Sequence, residues 1–228
     1  MAVASLEEVQ VAAGKLVHLG RYSFDPEFIS NLVERYEKNT EAEMVPMVVA
    51  TSDCYPAAYL RIGILIFALL IGLNTIFEFI LYMGALHIIG FFLFSFLIAA
   101  PLQNISFLKR IFISNEEKDE EVRQKAIEEF FRRDLHHTSH RGGVLIFISL
   151  LEHRIEILCD QAIKERVDQG TWDDVIKGMV PFMKQGELQK ALDHGVQSVG
   201  ELLSMHFPAN SGDSSSGGEL SNEIIVED

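Results

Sequence analysis

The chain has 228 residues and a formal net charge of −14, from 19 basic and 33 acidic residues. This balance excludes most nucleic-acid-binding functions, because no basic stripe is present to neutralise phosphates. It also argues against a soluble part that lies flat on anionic lipid. The two cysteines, Cys54 and Cys159, lack metal-ligand spacing and fit a reducing compartment.

The N-terminal part of the chain predicts two helices followed by a strand. Residues 5–17 carry an imperfect apolar stripe with helical period. Asp25 and Pro26 predict the N-cap and the first position of the second helix. Residues 43–50 predict a strand, in which Pro46 indicates an edge position or an irregularity.

One apolar stretch, residues 62–102, dominates the middle of the sequence. A helix needs about 20 apolar residues to cross the hydrocarbon core of a bilayer, and this stretch is about twice that long. A single helix of this length exceeds what tilting accommodates. We therefore predict a transmembrane hairpin with helices at residues 57–77 and 85–102 and a turn at residues 78–84. The alternative is a buried helical hairpin in a soluble domain, and the uniformly apolar helices argue against it.

Basic residues set the expected orientation of this hairpin. Arg61 lies at the start of the first crossing, Lys109 and Arg110 follow the second, and the turn contains no lysine or arginine. By the positive-inside rule, the soluble part and both chain ends face the cytoplasm. Glu78 and His87 are the ionisable exceptions in the apolar run, and their position near the turn predicts a hydrated, interfacial location.

Past the hairpin, the sequence predicts two strands among helices. Ser114 and Glu117 form a capping box that opens a helix. Residues 144–150 are apolar on both faces and predict a central strand, in an antiparallel hairpin with a strand at residues 155–159. The remaining predicted elements are helices at residues 171–184 and 187–206, with Pro181 kinking or shortening the first.

These elements predict one α/β domain whose sequence is interrupted by the hairpin. Each flank alone has too few strands to close a core. The predicted segments are 1–56 (first helices and strand), 57–104 (hairpin), 105–208 (remainder of the domain) and 209–228 (acidic, flexible tail). Within that tail, the apolar residues 224–226 are expected to add a strand or to dock on a partner.

A histidine-rich segment precedes the predicted central strand. His136, His137 and His140 are close enough in sequence to meet one metal ion, with Glu152 or Asp160 as an acidic ligand. The alternative is a polar loop, with Glu152 in a hairpin turn and Asp160 capping a helix. Both interpretations stay open from the residues alone.

Several segments resemble the TPM domain family. They are LHHT at 135–138, RGGVLIFISL at 141–150, EHRIEILCD at 152–160, GTW at 170–172, HFP at 206–208 and TEAEMVP at 40–46. The resemblance extends over residues 24–56 and 115–208. It is narrower with a bacterial membrane-protein branch in which a two-helix hairpin interrupts the domain.

The resemblance implies an α/β sandwich with a small mixed sheet, here with an inserted transmembrane hairpin. Relatives in this family include membrane-tethered accessory proteins, proteins linked to photosystem repair, and plant proteins with weak acid-phosphatase activity and calcium binding. We therefore expect a non-enzymatic accessory factor in the bacterial inner membrane. Its expected partners are the lipid bilayer and another membrane protein or complex, and it requires no cofactor. The alternative is an acid phosphatase that uses Ca²⁺ or another divalent metal.

Overall fold

Segments that lie far apart in the sequence meet in one four-stranded sheet. The computed structural model describes residues 16–76, 85–102, 104–136, 142–209 and 224–227. In chain order, its elements are β1 (Val17–Leu19), β2 (Tyr22–Phe24), α1 (Pro26–Glu37), β3 (Glu43–Val49), α2 (Pro56–Ile76), α3 (Ala85–Leu102), α4 (Ser106–Ile111), α5 (Asn115–Arg132), β4 (Gly143–Ser149), β5 (Arg154–Cys159), α6 (Gln161–Lys164), α7 (Gln169–Gln185), α8 (Leu188–His206) and β6 (Ile225–Glu227).

The sheet has the strand order β5-β4-β3-β6. Strand β4 is parallel to β3 and antiparallel to β5, and β6 pairs with the outer side of β3 in parallel. Every residue of β4 is buried, as expected for a strand that is apolar on both faces. The predicted central strand, its antiparallel partner and the small mixed sheet of an α/β fold are confirmed.

Helices cover both faces of the sheet and form two apolar cores. The larger core packs residues of α1, α7, α8 and the β1–β2 hairpin against one face. It contains Trp172, the single tryptophan of the chain, which is 2 % exposed. The smaller core packs Val122, Ala126 and Phe130 of α5 against the other face. Strand β3, before the apolar stretch, and strand β4, after it, contribute to both cores.

The chain divides into two compact units. One contains residues 1–52 and 121–228, and the other contains residues 53–120. In the second unit, Pro56–Thr75 of α2 is long and apolar enough to cross a membrane, whereas Leu86–Leu102 of α3 is a shorter apolar helix. The described residues therefore contain one candidate span by length and composition. The second crossing and the predicted domain limits stay predictions.

The helix caps predicted from the sequence are confirmed. Ser114 Oγ accepts a hydrogen bond from Glu117 N at 3.1 Å, and Glu117 Oε2 accepts one from Ser114 N at 2.9 Å. Asp25 Oδ1 accepts from Phe28 N at 3.2 Å at the start of α1. These bonds saturate N–H groups that a helix start otherwise leaves unpaired.

The predicted N-terminal helix is wrong at its carboxyl end. Val17 belongs to β1, which pairs antiparallel with β2, and residues 1–15 lie outside the described residues. Gly20 has φ of +60° in the turn between these strands, a conformation that glycine adopts without a side-chain penalty. Leu19, Tyr22 and Phe24 are buried, so tertiary packing selects the hairpin.

Two prolines differ in how well they were predicted. Helix α7 begins at Gln169 and continues through Pro181, so the expected earlier end is wrong; Gly186 follows it with φ of +80°. Pro46 lies in β3 just before Met47, the residue at which pairing with β6 begins. In the described part of the chain, Pro46 is therefore paired on one side only, as its edge prediction requires.

Glu37, the last residue of α1, makes the stability of the fold depend on pH. Burial raises the pKa of its carboxyl to about 7, the Met44 N–H that it accepts lowers the pKa, and the charges of Glu43 and Glu34 raise it. The folded protein therefore binds more protons than the unfolded chain between pH 4.5 and about 7. This stabilising contribution is complete below pH 4.5 and is lost as the pH rises through 7.

At pH 8, the free energy of unfolding of a Glu37→Gln variant is expected to exceed that of the wild type by about 2 kcal/mol, because glutamine removes the cost of a buried charge. At pH 4 the two proteins are expected to be equally stable. Denaturation in detergent micelles, followed by Trp172 fluorescence, measures both. A difference in stability between the two proteins that is the same at pH 4 and pH 8 would contradict the raised pKa of Glu37.

Candidate functional site

Glu152 is a buried carboxylate at the carboxyl ends of β3 and β4. It is 1 % exposed. Its oxygens accept hydrogen bonds from Ser52 N at 3.1 Å, from Thr51 Oγ1 at 3.3 Å and from Ser149 Oγ. Ser52 Oγ in turn donates to Ser149 Oγ at 2.9 Å. Glu152 therefore ties the segment after β3 to the turn after β4.

The backbone explains why these side chains meet. The chain continues to pair beyond β4, because Leu150 N donates to Val49 O at 3.0 Å and Leu151 N donates to Ala50 O at 2.9 Å. This pairing carries Glu152 alongside the residues that follow β3. Open α/β sheets place functional residues at the carboxyl ends of parallel strands, so this position is a candidate site on topology alone.

The next residue, His153, connects this turn to the β1–β2 hairpin. His153 has φ of +54°, and its Nε2 lies 3.2 Å from the Tyr22 hydroxyl and 3.3 Å from an Arg21 guanidinium nitrogen. Tyr22 is 4 % exposed. The polar groups at this end of the sheet thus bond to one another, which favours a structural role for them.

The other predicted site residues lie at the opposite end of β4. Asp160 N donates to Gly143 O at 3.0 Å, and the backbone of Leu135, next to His136, packs directly on Gly143. Strand β5 lies between Asp160 and Glu152, and its six residues, at ~3.3 Å each, place the two carboxylates about 20 Å apart. The structure therefore does not bring Glu152 to His136, the described histidine of that segment. His137 and His140 lie outside the described residues.

Asp160 retains capacity for a further ligand. Its Oδ1 caps α6 by accepting from Gln161 N at 2.6 Å, while its Oδ2 is buried without a hydrogen-bond partner among the described residues. The ring of His136 packs on that of Phe131, with centroids 4.8 Å apart. Within the described ranges, no three histidine, cysteine, aspartate or glutamate side chains are placed to hold a metal. Burial raises the pKa of the neighbouring Cys159 thiol to about 11, so it stays protonated at neutral pH.

The residues predicted to set topology lie in the second unit. Arg61 forms a two-pronged ion pair with Glu117, with both nitrogen–oxygen distances 2.7 Å, and donates to Phe112 O at 2.7 Å. The hydrogen bonds from Arg61, followed by the one from Ser114 N, lower the pKa of Glu117 to about 2. Lys109 Nζ lies 5.6 Å from the centre of the Tyr55 ring, and Lys118 Nζ donates to Arg110 O. His87 is exposed at the start of α3, and Glu78 lies outside the described residues.

Comparison with known protein families decides which domain this is. Residues 108–202 match the family model described as TPM domain. Residues 108–202 are therefore similar to a TPM domain. The match includes the histidine segment, Glu152 and Asp160, and it leaves out the apolar helices α2 and α3 and the C-terminal strand β6.

A solved structure is similar in fold to most of this chain. The NMR structure of BA42 protein from the psychrophilic bacterium Bizionia argentinensis is similar with a TM-score of 0.53 and 18 % sequence identity. The alignment covers 88 % of this chain and 91 % of the other. A comparison with curated proteins finds no match. At this identity, the likeness concerns the fold alone.

A cationic cluster formed by α5 and the residue that follows it is a feature that the sequence analysis missed. Glu129, whose side chain is fully buried, contacts Lys125 at 3.3 Å, Arg132 at 2.6 Å and Arg133 at 3.1 Å. The same three cations contact Glu227 of β6. Spacings of three and four residues on one helix signal the first set. Nothing local signals Glu227, which is more than 90 residues away.

Proposed function

We propose that this chain is a membrane-anchored TPM-domain protein, held by a hairpin of α2 and α3 that inserts into the lipid bilayer. The observation that carries the proposal is the exposure of large apolar side chains along both helices, since soluble monomers rarely expose contiguous apolar patches of this size. Only 17 % of the most apolar part of α2 is buried. Large apolar residues at least 43 % exposed are Leu60, Ile64, Leu65, Leu69, Leu73, Leu86, Ile88, Ile89, Phe92, Leu93, Phe94 and Leu97.

The packing between α2 and α3 supports the same proposal. Small residues are buried there: Gly63 packs on the Phe96 ring, and Ser95 and Ala99 are fully buried. Tyr59 Oη donates to Phe96 O at 3.1 Å. A soluble helical pair buries its large apolar residues instead. Helices in lipid place small residues and interhelical hydrogen bonds at their contact, because lipid solvates the large side chains as well as protein does.

Both ends of the hairpin are proposed to face the cytoplasm of a bacterium. Arg61 is near one end and Lys109 and Arg110 are past the other, which fits the positive-inside rule. The pairing of Arg61 with Glu117 also suits the membrane interface, because a paired charge is less costly there than an isolated one.

The native cysteines allow this orientation to be tested. Cys54 is exposed two residues before α2, whereas Cys159 is buried. In spheroplasts, a membrane-impermeant maleimide is expected to leave Cys54 unlabelled, and to label it after permeabilisation. Met83→Cys, in a Cys54→Ser background, is expected to show labelling in intact spheroplasts. Labelling of Cys54 in intact spheroplasts would contradict the orientation.

The proposed role is that of a non-enzymatic accessory factor for another membrane protein or complex. The support is that Glu152, the most buried candidate carboxylate, is engaged by donors from its own chain. The acidic surface implied by a net charge of −14 favours protein partners over nucleic acid. No cofactor is required for this role.

A metal-dependent phosphatase is the second candidate, and the buried Oδ2 of Asp160 favours it. Asp160 and the segment with His136, His137 and His140 would hold a divalent metal such as Ca²⁺, which would polarise a phosphate ester. Glu152 is too distant from Asp160 to join such a site. The assay is turnover of a chromogenic phosphomonoester across pH with several divalent metals, comparing the wild type with Asp160→Asn, which retains the helix cap. Metal-dependent turnover that this variant lacks would favour the phosphatase, and silence would favour the accessory role.

A further inference from the structure

The C-terminal strand β6 pairs with the edge of β3, as a peptide ligand does when it adds a strand to a sheet. It has three residues, and 18 residues separate it from the end of α8. It pairs in parallel with residues 47–49 of β3, and Ala50 N donates to Glu227 O at 2.8 Å. All residues of β6 are half-buried, whereas every residue of β4 is buried. Strand β6 is therefore the most weakly embedded strand of the sheet.

The side chains around β6 alternate between the two faces of the sheet. Ile224, just before the strand, is 9 % exposed and belongs to the larger core, and Val226 packs against the same core. Ile225 packs against the smaller core on the opposite face. An extended segment at this position thus places two apolar side chains on one face of the sheet and one on the other. Alternating contacts of this kind give strand addition its side-chain specificity.

Charge complementarity fixes the position that follows these apolar residues. Lys125, Arg132 and Arg133 carry three positive charges, and Glu129 supplies one negative charge among them. Glu227 adds a second, with Arg133 at 3.3 Å and Lys125 at 3.7 Å from its carboxylate. Without β6, this site keeps an excess of two positive charges in a protein that is strongly acidic. Its preferred occupant is therefore an anionic side chain.

We propose that the outer edge of β3, together with Lys125, Arg132 and Arg133, is a docking groove for an extended segment of a partner protein. The segment that fits has three consecutive aliphatic residues followed by a carboxylate and runs parallel to β3. Strand β6 is its intramolecular counterpart and covers the groove until such a segment displaces it. This inference rests on the proposed accessory role and supplies the chemistry of its partner.

The groove suits exchange because an uncovered edge strand is a template for pairing with another chain. Strand β6 covers the edge of β3. Because β6 is tethered to the same chain, it competes with a partner segment at an effective concentration in the millimolar range. A partner segment therefore binds well only when it is present at high local concentration, as in a membrane complex, or when β6 is withdrawn.

The test uses the full chain in detergent micelles, a chain that ends at Ala209, and a fluorescent peptide with the sequence of residues 221–228. By fluorescence anisotropy, the shortened chain is expected to bind this peptide at least tenfold more tightly than the intact chain. A peptide in which Glu227 is replaced by lysine is expected to bind the shortened chain at least tenfold more weakly. The Glu227→Lys variant of the intact chain, which keeps every other residue, is expected to bind the wild-type peptide more tightly than the wild-type chain.

Three results would overturn the proposal. The first is equal affinity of the peptide for the intact chain, the shortened chain and the Glu227→Lys chain. The second is equal affinity of the wild-type and lysine peptides. The third is a stable dimer of the intact chain that becomes a monomer on shortening, since the groove then belongs to a second copy. Each result leaves membrane anchoring unaffected, because anchoring is measured separately by extraction.

Discussion

Replacing Glu152 by alanine is expected to lower the free energy of unfolding by about 3 kcal/mol. The substitution leaves Ser52 N–H and the hydroxyls of Thr51 and Ser149 without the carboxylate that accepts from them, in a place where Glu152 itself is 1 % exposed. Buried donors without partners cost far more than the bonds contribute when they are made. Denaturant unfolding in micelles, followed by the fluorescence of buried Trp172, measures the loss.

Glu201→Ala is the matched control for this variant. Glu201 is exposed on α8 and accepts a hydrogen bond from Gln197 Nε2 at 3.1 Å, so its loss is expected to cost less than about 0.5 kcal/mol. Glu152→Gln, which keeps an acceptor oxygen, is expected to fall between the two. A loss below about 1 kcal/mol in Glu152→Ala would show that the carboxylate does not tie the strand ends together.

Gly143→Ala is expected to destabilise the α/β domain by about 3 kcal/mol. A Cβ at this position would lie 2.1 Å from the backbone oxygen of Leu135, and a backbone atom moves less readily than a side chain. Gly143 begins β4, so the strain reaches the centre of the sheet. The same displacement would move His136, so a metal site in this segment would weaken as well.

Gly72→Ala tests whether this effect comes from the close contact. A Cβ on Gly72 in α2 meets nothing within 4 Å, so alanine is expected to be tolerated there, with its higher helix propensity. Trp172 fluorescence during unfolding compares both variants with the wild type. Equal stability of Gly143→Ala and the wild type would place Leu135 away from Gly143.

Strong local patterns made much of the fold predictable. The fully apolar run that becomes β4 predicted a central strand, and the side chains of Ser114 and Asp25 predicted helix starts that the hydrogen bonds confirm. The β1–β2 hairpin escaped prediction because its strands have three residues each, too few for a period of two to stand out from a helical stripe.

The candidate sites were predictable residue by residue but not as assemblies. Glu152 was recognised as a candidate carboxylate, yet its donors Thr51 and Ser52 come from a segment about 100 residues earlier in the chain. The ion pair of Glu227 with Arg132 could likewise not be predicted, because only the fold of the sheet brings β6 to α5. Such long-range contacts depend on topology, and a single sequence carries no local signal for them.

The proposed membrane anchor requires that lipid, rather than water, surrounds α2 and α3. Many of their large apolar side chains are exposed, whereas Gly63, Ser95 and Ala99 are buried, the reverse of a soluble core. The proposed insertion of these helices into lipid would explain this arrangement. An aqueous environment would leave more than ten large apolar side chains in water.

Alkaline carbonate extraction of native membranes tests this claim directly. Integral proteins stay in the membrane pellet after this treatment, whereas peripheral and soluble proteins are released. If α2 and α3 insert into lipid, the intact chain is expected to remain in the pellet and to enter solution only with detergent. Release of the chain into the carbonate supernatant as a soluble, folded species would contradict it.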